Sequence, residues 1–244
     1  MSLVATTAPQ RADRPPGGAA AIAARTLLAA ELLCESVDLH AGERVLDVAC
    51  GSGNATLAAA RRFARVVGVD GDPCLLERAR RRAGAEGLEA TFLEGDPRDL
   101  AFPDGAFDVV LSAGAGMSTP DLERVAAELL RVCRPGGRIG LVLWTPGGYV
   151  GGLLAAAGGQ PPPPAPGELF GPDVEVTAPR RSLLWRFPSA EHQVEFLAAC
   201  HGPTLTERRA ELLGLARRFD VSEDDTLVLR VDYLEVVARK PTWR

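Results

Sequence analysis

The sequence predicts an α/β fold: a mostly parallel sheet covered by helices on both faces. Three observations lead there. Short apolar runs of strand length alternate with stretches of helical periodicity from about residue 21 to residue 146. The chain's 244 residues, 46% hydrophobic and 24% charged, suit one soluble globular domain with a sizeable core. No apolar run approaches the ~20 residues that a membrane span requires.

Residues 1–20 (MSLVATTAPQRADRPPGGAA) are rich in Pro, Ala and Gly and read as a mobile tail. They lack the apolar stretch with a positive flank that marks a secretory signal. Ala21–Val37 has helical spacing, with Leu27, Leu28, Leu32 and Leu33 on roughly one side, and Ala41-Gly42 breaks it. Arg44–Val48 (RVLDV) is a buried strand, followed by the turn Gly51-Ser52-Gly53 and a helix over Asn54–Phe63. Arg65–Val69 (RVVGV) is a second strand. Cys74–Ala83 is an amphipathic helix that Gly84 ends, and Ala90–Leu93 is a third strand. Phe107–Ser112 (FDVVLS) is a fourth. Thr119 caps a helix that opens with Pro120, and Leu122, Val125, Leu129 and Cys133 follow helical spacing along it. Arg134-Pro135-Gly136-Gly137 stops that helix, and Arg138–Trp144 (RIGLVLW) is the fifth strand.

Residues 145–175 are loaded with Gly and Pro, including the run Pro161–Pro164, and are expected to form a surface loop stiffened as polyproline II. A lid over a substrate is the less favoured reading. Arg181–Phe187 and Thr226–Val237 are two further strands, separated by helical stretches at Ala190–Cys200 and Leu205–Arg218. The expected architecture is a doubly wound, Rossmann-like, seven-stranded, mostly parallel sheet with an antiparallel edge hairpin. Ligands of such sheets sit beyond the carboxyl ends of the strands.

Charge and composition exclude several functions. Lys plus Arg total 27 against 32 Asp plus Glu, a net charge of −5, and aromatics are 5%. An acidic chain with so few stacking residues is a poor nucleic-acid binder. Cys34, Cys50, Cys74, Cys133 and Cys200 are scattered without a C-x-x-C pair, so neither a disulfide framework nor a metal site is indicated, and a reducing, cytoplasmic setting fits.

The chemistry gathers at strand ends. The first strand runs into Asp47-Val48-Ala49-Cys50-Gly51-Ser52-Gly53-Asn54, where glycines let the backbone approach a ligand and the next helix offers free N–H groups. Alone, two glycines are weak evidence. Asp70 ends the second strand, placed to accept from both hydroxyls of a ribose, and Asp96 follows the third, placed to accept from an adenine amine. A dinucleotide would want G-x-G-x-x-G, but Thr56 holds the third glycine's place and Asp47 would repel a pyrophosphate. An adenosine carrying an amino-acid tail and no phosphate suits the pattern, which describes S-adenosylmethionine.

The segments VLDVACGSGN, VVGVD, FLEGDPRDLAFPDGAFDVVLS and ELLRVCRPGGRIGLVLW resemble the successive motifs of class I S-adenosylmethionine-dependent methyltransferases, and among them the ubiquinone/menaquinone-type small-molecule branch. The resemblance covers about residues 30–146. A weaker one, to actinobacterial-type members, continues through SAEHQVEF, HGPTL and DYLEVVAR. It implies that residues 21–244 are one methyltransferase domain, with 21–146 the cofactor-binding half and 147–244 the substrate side. It implies that Asp47, Ala49 and the turn Gly51, Ser52, Gly53 hold the methionine moiety. Asp70 would take the ribose, Gly71 would lie near the adenine face, Asp96 with Pro97 would meet the adenine, and Ser112, Ala113 and Met117 would line the sulfonium side.

The chain departs from the family in places. Pro97 has no N–H where relatives usually offer one to the adenine ring. The loop Ser112–Asp121 is built of small residues where relatives carry bulkier ones, and the first helix lacks the Tyr or Trp often found over the cofactor. Arg25 could pair with a carboxylate, although an exposed helix arginine is the plainer explanation. Methyl transfer needs a base only when its acceptor is not already nucleophilic. His201 is the first candidate and His192 the second, while His40 lies in a loop before the first strand. Ser112-Ala113-Gly114-Ala115 is not the [D/N/S]-P-P-[Y/F] of amino-group methylases, and no Pro-Cys pair resembles the nucleophile of cytosine C5 methylases. A small organic acceptor is therefore expected, attacking the methyl group through O, N or C, with Arg180, Arg181 and Arg186 available to an anionic one. Nothing in the sequence selects an oligomeric state. Two other classes remain: a methyltransferase-like protein that keeps the cofactor while catalysing a cyclisation or rearrangement, and a nicotinamide-dependent oxidoreductase, which Thr56 and Asp47 disfavour.

Overall fold

The structure, a computed structural model, describes residues 18–113, 121–156, 165–201 and 207–242, and the side chains of 18–21 and 201 lie outside that description. The strands are β1 (Arg44–Val48), β2 (Arg65–Asp70), β3 (Thr91–Glu94), β4 (Phe107–Ala113), β5 (Cys133–Trp144), β6 (Glu175–Thr177), β7 (Arg180–Phe187) and β8 (Leu227–Arg239). The helices are α1 (Gly18–Ser36), α2 (Asn54–Arg61), α3 (Pro73–Glu86), α4 (Leu122–Val132), α5 (Tyr149–Ala156), α6 (Pro166–Phe170), α7 (Ala190–His201) and α8 (Arg209–Phe219).

Five strands lie parallel in the order β3-β2-β1-β4-β5, and β8 runs antiparallel beside β5. Both β6 and β7 pair with the far edge of β8. Thr177 faces Val237 and Arg180 faces Leu234, so the register is unchanged across Ala178-Pro179. The two are one edge strand divided at Pro179, whose carbonyl accepts from Glu235 N at 3.0 Å but whose nitrogen has no hydrogen to return. Seven positions therefore span the sheet, filled by eight strand segments.

Helices α1 to α3 cover one face and α4 with α6 the other. The alternation in RVLDV and RIGLVLW is hidden because both faces are buried: Leu46, Val110, Ile139 and Leu141 pack under α4, and Val45, Val109 and Leu111 under α1 and α2. Trp144 of β5 is opposite Tyr233, so β8 continues six residues past it, paired with β7 as far as Phe187↔Leu227. At about 3.4 Å per residue this hairpin rises roughly 20 Å past the carboxyl edge of β5. Helices α5, α7 and α8 pack around it, together with α1.

Several boundaries differ from the sequence expectation: the helix expected to run through Cys133 ends at Val132, and β5 starts at Cys133 rather than Arg138, so Arg134–Gly137 is already strand. Helix α3 runs through Gly84 to Glu86 and ends at Gly87, which takes the left-handed φ of 64°. A glycine inside a helix costs only about 1 kcal/mol, so Gly84 is tolerated and Gly87 supplies the cap. Helix α1 starts at Gly18, inside the stretch expected as tail. Residues 145–175 are no plain loop, since they contain α5 and α6. Tyr149 anchors α5: it is fully buried, with ring contacts to Trp185 and Phe219 at 6.0 and 6.1 Å. Pro166 stands in the first turn of α6, where its missing N–H is not needed. The run Pro161–Pro164 and the proposed cap Thr119-Pro120 lie outside the described residues.

Candidate active site

The site is built where β1 and β4 adjoin. Helix α2, after β1, packs on one face of the sheet and α4, after β4, on the other, so β1 and β4 form the switch point above which ligands of such sheets find their crevice. Ala49, Gly51 and Gly53 all take left-handed φ, at 54°, 56° and 88°. Gly53 is the N-cap of α2 and has no side chain to cap with. Asp47 does it from β1 instead: its Oδ2 accepts from Thr56 N at 2.8 Å and Thr56 Oγ1 at 2.6 Å. Gly68, beside Asp47 on β2, leaves room for this, because a Cβ there would stand 2.8 Å from Thr56 Oγ1.

The other oxygen of Asp47 is buried and has no partner among the described residues. Burial pushes the carboxyl up to about 7, against the pull of both Thr56 hydrogen bonds, and the nearby Asp70 adds to the rise. A buried carboxylate oxygen without a donor is matched by a cation such as the ammonium of an amino-acid tail. On that observation the residues present fit S-adenosylmethionine. Ser112, also buried, offers a second oxygen, unpartnered among the described residues, at the end of β4.

Asp70 closes β2 and is 6% exposed. Its Oδ2 accepts from Gly51 N and its Oδ1 from Asp72 N, each at 2.9 Å. Each oxygen keeps a second lone pair for a diol. Gly71 beside it is exposed. Asp96 is held by Arg98 through Nη2 at 2.7 Å, Nε at 3.0 and 3.1 Å, and the backbone N at 2.9 Å, which lowers the carboxyl to about 2. Pro97 lies at the second position of the turn that Asp99 N closes on Asp96 O at 3.0 Å, a place that suits its fixed φ. Ala113 ends β4, half-buried, and Met117 lies outside the described residues.

Two arginines matter that sequence reasoning did not find. Arg82 of α3 reaches the glycine turn, with Nη1 donating to Ser52 O at 2.7 Å and Asn54 Oδ1 at 2.9 Å. Asn54 in turn donates to Ala23 O at 2.8 Å, tying α1 to the same turn. Arg98 bridges Asp96 to Asp121 at the start of α4. Neither contact leaves a periodic trace in the sequence; only the helix phase of Arg82 and the adjacency of Arg98 to Asp96 hint at them.

The remaining candidates are placed as follows. His192 is exposed on α7, its N donating to Ser189 Oγ at 3.2 Å, and no hydrogen bond or ion pair among the described residues joins it to the strand ends. His201 ends α7, and its side chain is outside the description. Arg25 stacks on Phe187 and Phe196, 4.0 and 4.6 Å from their ring centres. Arg180 pairs with Asp232 at 3.0 Å and Arg181 with Glu235 at 3.1 Å, so both have partners within the protein.

A model of the methyltransferase domain matches residues 45–137, which span the glycine turn and the three acidic strand ends. An uncharacterized protein of Mycobacterium tuberculosis is 37% identical over 190 residues, 71% of this chain and 69% of that protein. The demethylmenaquinone methyltransferase of Thermus thermophilus is 45% identical over 116 residues, 46% of this chain and 53% of that enzyme. The YcgJ protein of Bacillus subtilis has the same fold, with a TM-score of 0.70 at 18% identity over 88% of this chain and 98% of that one. The order of strands, the acidic strand ends and these relatives lead to one conclusion: the chain belongs to the class I S-adenosylmethionine-dependent methyltransferases.

Proposed function

We propose that the enzyme methylates a small organic molecule of secondary metabolism in the cytoplasm, the acceptor lying between the carboxyl edge of the sheet and the wall of α5, α7, α8 and the β7–β8 hairpin. The observation that carries this reading is the buried oxygen of Asp47 beside the glycine turn, unpartnered among the described residues. S-adenosylmethionine supplies an electrophilic methyl carbon activated by its positive sulfur. Asp47 and the Ala49–Gly53 turn would hold the amino-acid tail, Asp70 the ribose, Asp96 the adenine, and Ser112, Ala113 and Met117 the sulfonium side. The protein's part in an in-line displacement is chiefly to align acceptor and methyl group and exclude water. Residues up to about 146 form the cofactor half, and the rest form the acceptor side. Where an acceptor must lose a proton, His201 is the first candidate base and His192 the second.

A small acceptor is supported by the net charge of −5, which disfavours a nucleic-acid backbone, and by the similarity to a demethylmenaquinone methyltransferase over 116 residues. The test uses methyl-labelled S-adenosylmethionine and a cell extract divided into low-mass, protein and nucleic-acid fractions. Label is expected in the low-mass fraction. Label confined to protein or RNA would overturn the acceptor class, and consumption of an extract component without release of S-adenosylhomocysteine would mark a non-methylating reaction.

A further inference from the structure

We propose that Asp96 and Arg98 together read the Watson–Crick edge of the cofactor's adenine, Arg98 donating to the ring nitrogen in place of the N–H that Pro97 lacks. The proposal rests on the reading that the adenine lies at the end of β3.

Asp96 and Arg98 are neighbours across one turn. Arg98 Nη2 lies 2.7 Å from Asp96 Oδ2, so an acceptor and a donor stand side by side. Adenine presents the complement on its edge, an exocyclic amine that donates beside a ring nitrogen that accepts. Hypoxanthine reverses both. Nη2 carries two hydrogens and only one of them can point at Asp96 Oδ2, which leaves a donor free, while the lone pair of Oδ2 turned away from Arg98 is left for the amine. The two side chains are 45% and 44% exposed, so the paired edge is open to a ligand. The guanidinium has a second anchor, Nη1 donating to Asp121 Oδ2 at 3.2 Å, and the backbone of Arg98 is held by Arg124, whose Nε donates to Arg98 O at 2.9 Å. The carboxyl of Asp96, lowered to about 2 by Arg98, remains an acceptor at neutral pH.

The test is calorimetric titration of the full chain with S-adenosylhomocysteine, its hypoxanthine counterpart and its N1-deaza counterpart. The native protein is expected to bind S-adenosylhomocysteine about tenfold more tightly than the N1-deaza compound, the worth of one good hydrogen bond, and the hypoxanthine compound more weakly still. Arg98→Met is expected to erase the difference between the first two while binding the N1-deaza compound as the native protein does. Arg98→Lys, which keeps a donor, should restore part of it. Equal weakening of both ligands by Arg98→Met, or no preference in the native protein, overturns the proposal while leaving the cofactor reading intact. Failure of the native protein to bind any of the three overturns both.

Discussion

At Ala49 the backbone turns through a left-handed φ of 54° with a Cβ attached. That conformation costs a non-glycine residue on the order of 1 kcal/mol, and it persists because β1 and the glycine turn hold it from both sides. Ala49→Gly is expected to raise the free energy of unfolding by about 1 kcal/mol, read as a higher urea midpoint at constant m-value. A midpoint at or below the native one would show that the turn stores no strain there. Asp47 sets a pH dependence of definite sign. Its folded carboxyl sits at about 7 against an ordinary 3.8, so between those values the folded state keeps a proton the unfolded chain has lost. Stability from this group therefore falls as pH rises from about 4 to about 7, and stays low above that. Between pH 5 and pH 8 the loss should be on the order of 2 kcal/mol, and Asp47→Asn, which can still accept from Thr56, should remove it. Parallel pH profiles for the two proteins would contradict the burial argument. A cation beside Asp47 Oδ1 favours the ionised form, so cofactor affinity should climb as pH approaches 7, with proton release visible in buffers of different ionisation heat.

Among the elements, α3 does more than cover the sheet. Arg82 projects from it to the backbone of Ser52 and the side chain of Asn54, so the position of α3 governs the shape of the glycine turn. Arg82→Met should weaken S-adenosylhomocysteine binding about tenfold by titration while lowering thermal stability only modestly, since roughly 1.5 kcal/mol of charge-assisted hydrogen bonding is lost. An undiminished affinity would mean the turn is shaped without it. The parallel strands were legible because four or five consecutive β-formers between turn residues admit little else, and the positions of Asp47, Asp70 and Asp96 were legible because each lies at or just beyond the carboxyl end of such a run. Helices α5 and α6 were not, because glycine and proline conceal short helices whose stability comes from burying Tyr149 and Phe170 against distant elements. Arg82 and Arg98 were not, because the partner of a long side chain is decided by packing rather than spacing. Helix α3 outran Gly84 since tertiary contacts at Leu76, Ala79 and Ala83 outweigh one unfavourable residue.

For the molecule as a whole, a ligand seated on β1, β2 and β3 at once should stabilise the native state by mass action. At one hundred times its Kd, S-adenosylhomocysteine should add about 2.7 kcal/mol and raise Tm by roughly 5–10 °C, whereas NADH should leave it unchanged. A shift with NADH and none with S-adenosylhomocysteine would contradict the assignment of the crevice. The outer rim of the sheet carries a different consequence. Glu175 to Phe187 would otherwise be a straight ribbon of open backbone, an invitation for identical molecules to zip together rim to rim. Pro179 interrupts that ribbon, and the exposed charge of Arg186 opposes a copy approaching it. Concentrated solutions should therefore stay free of fibrous aggregates for reasons unrelated to catalysis.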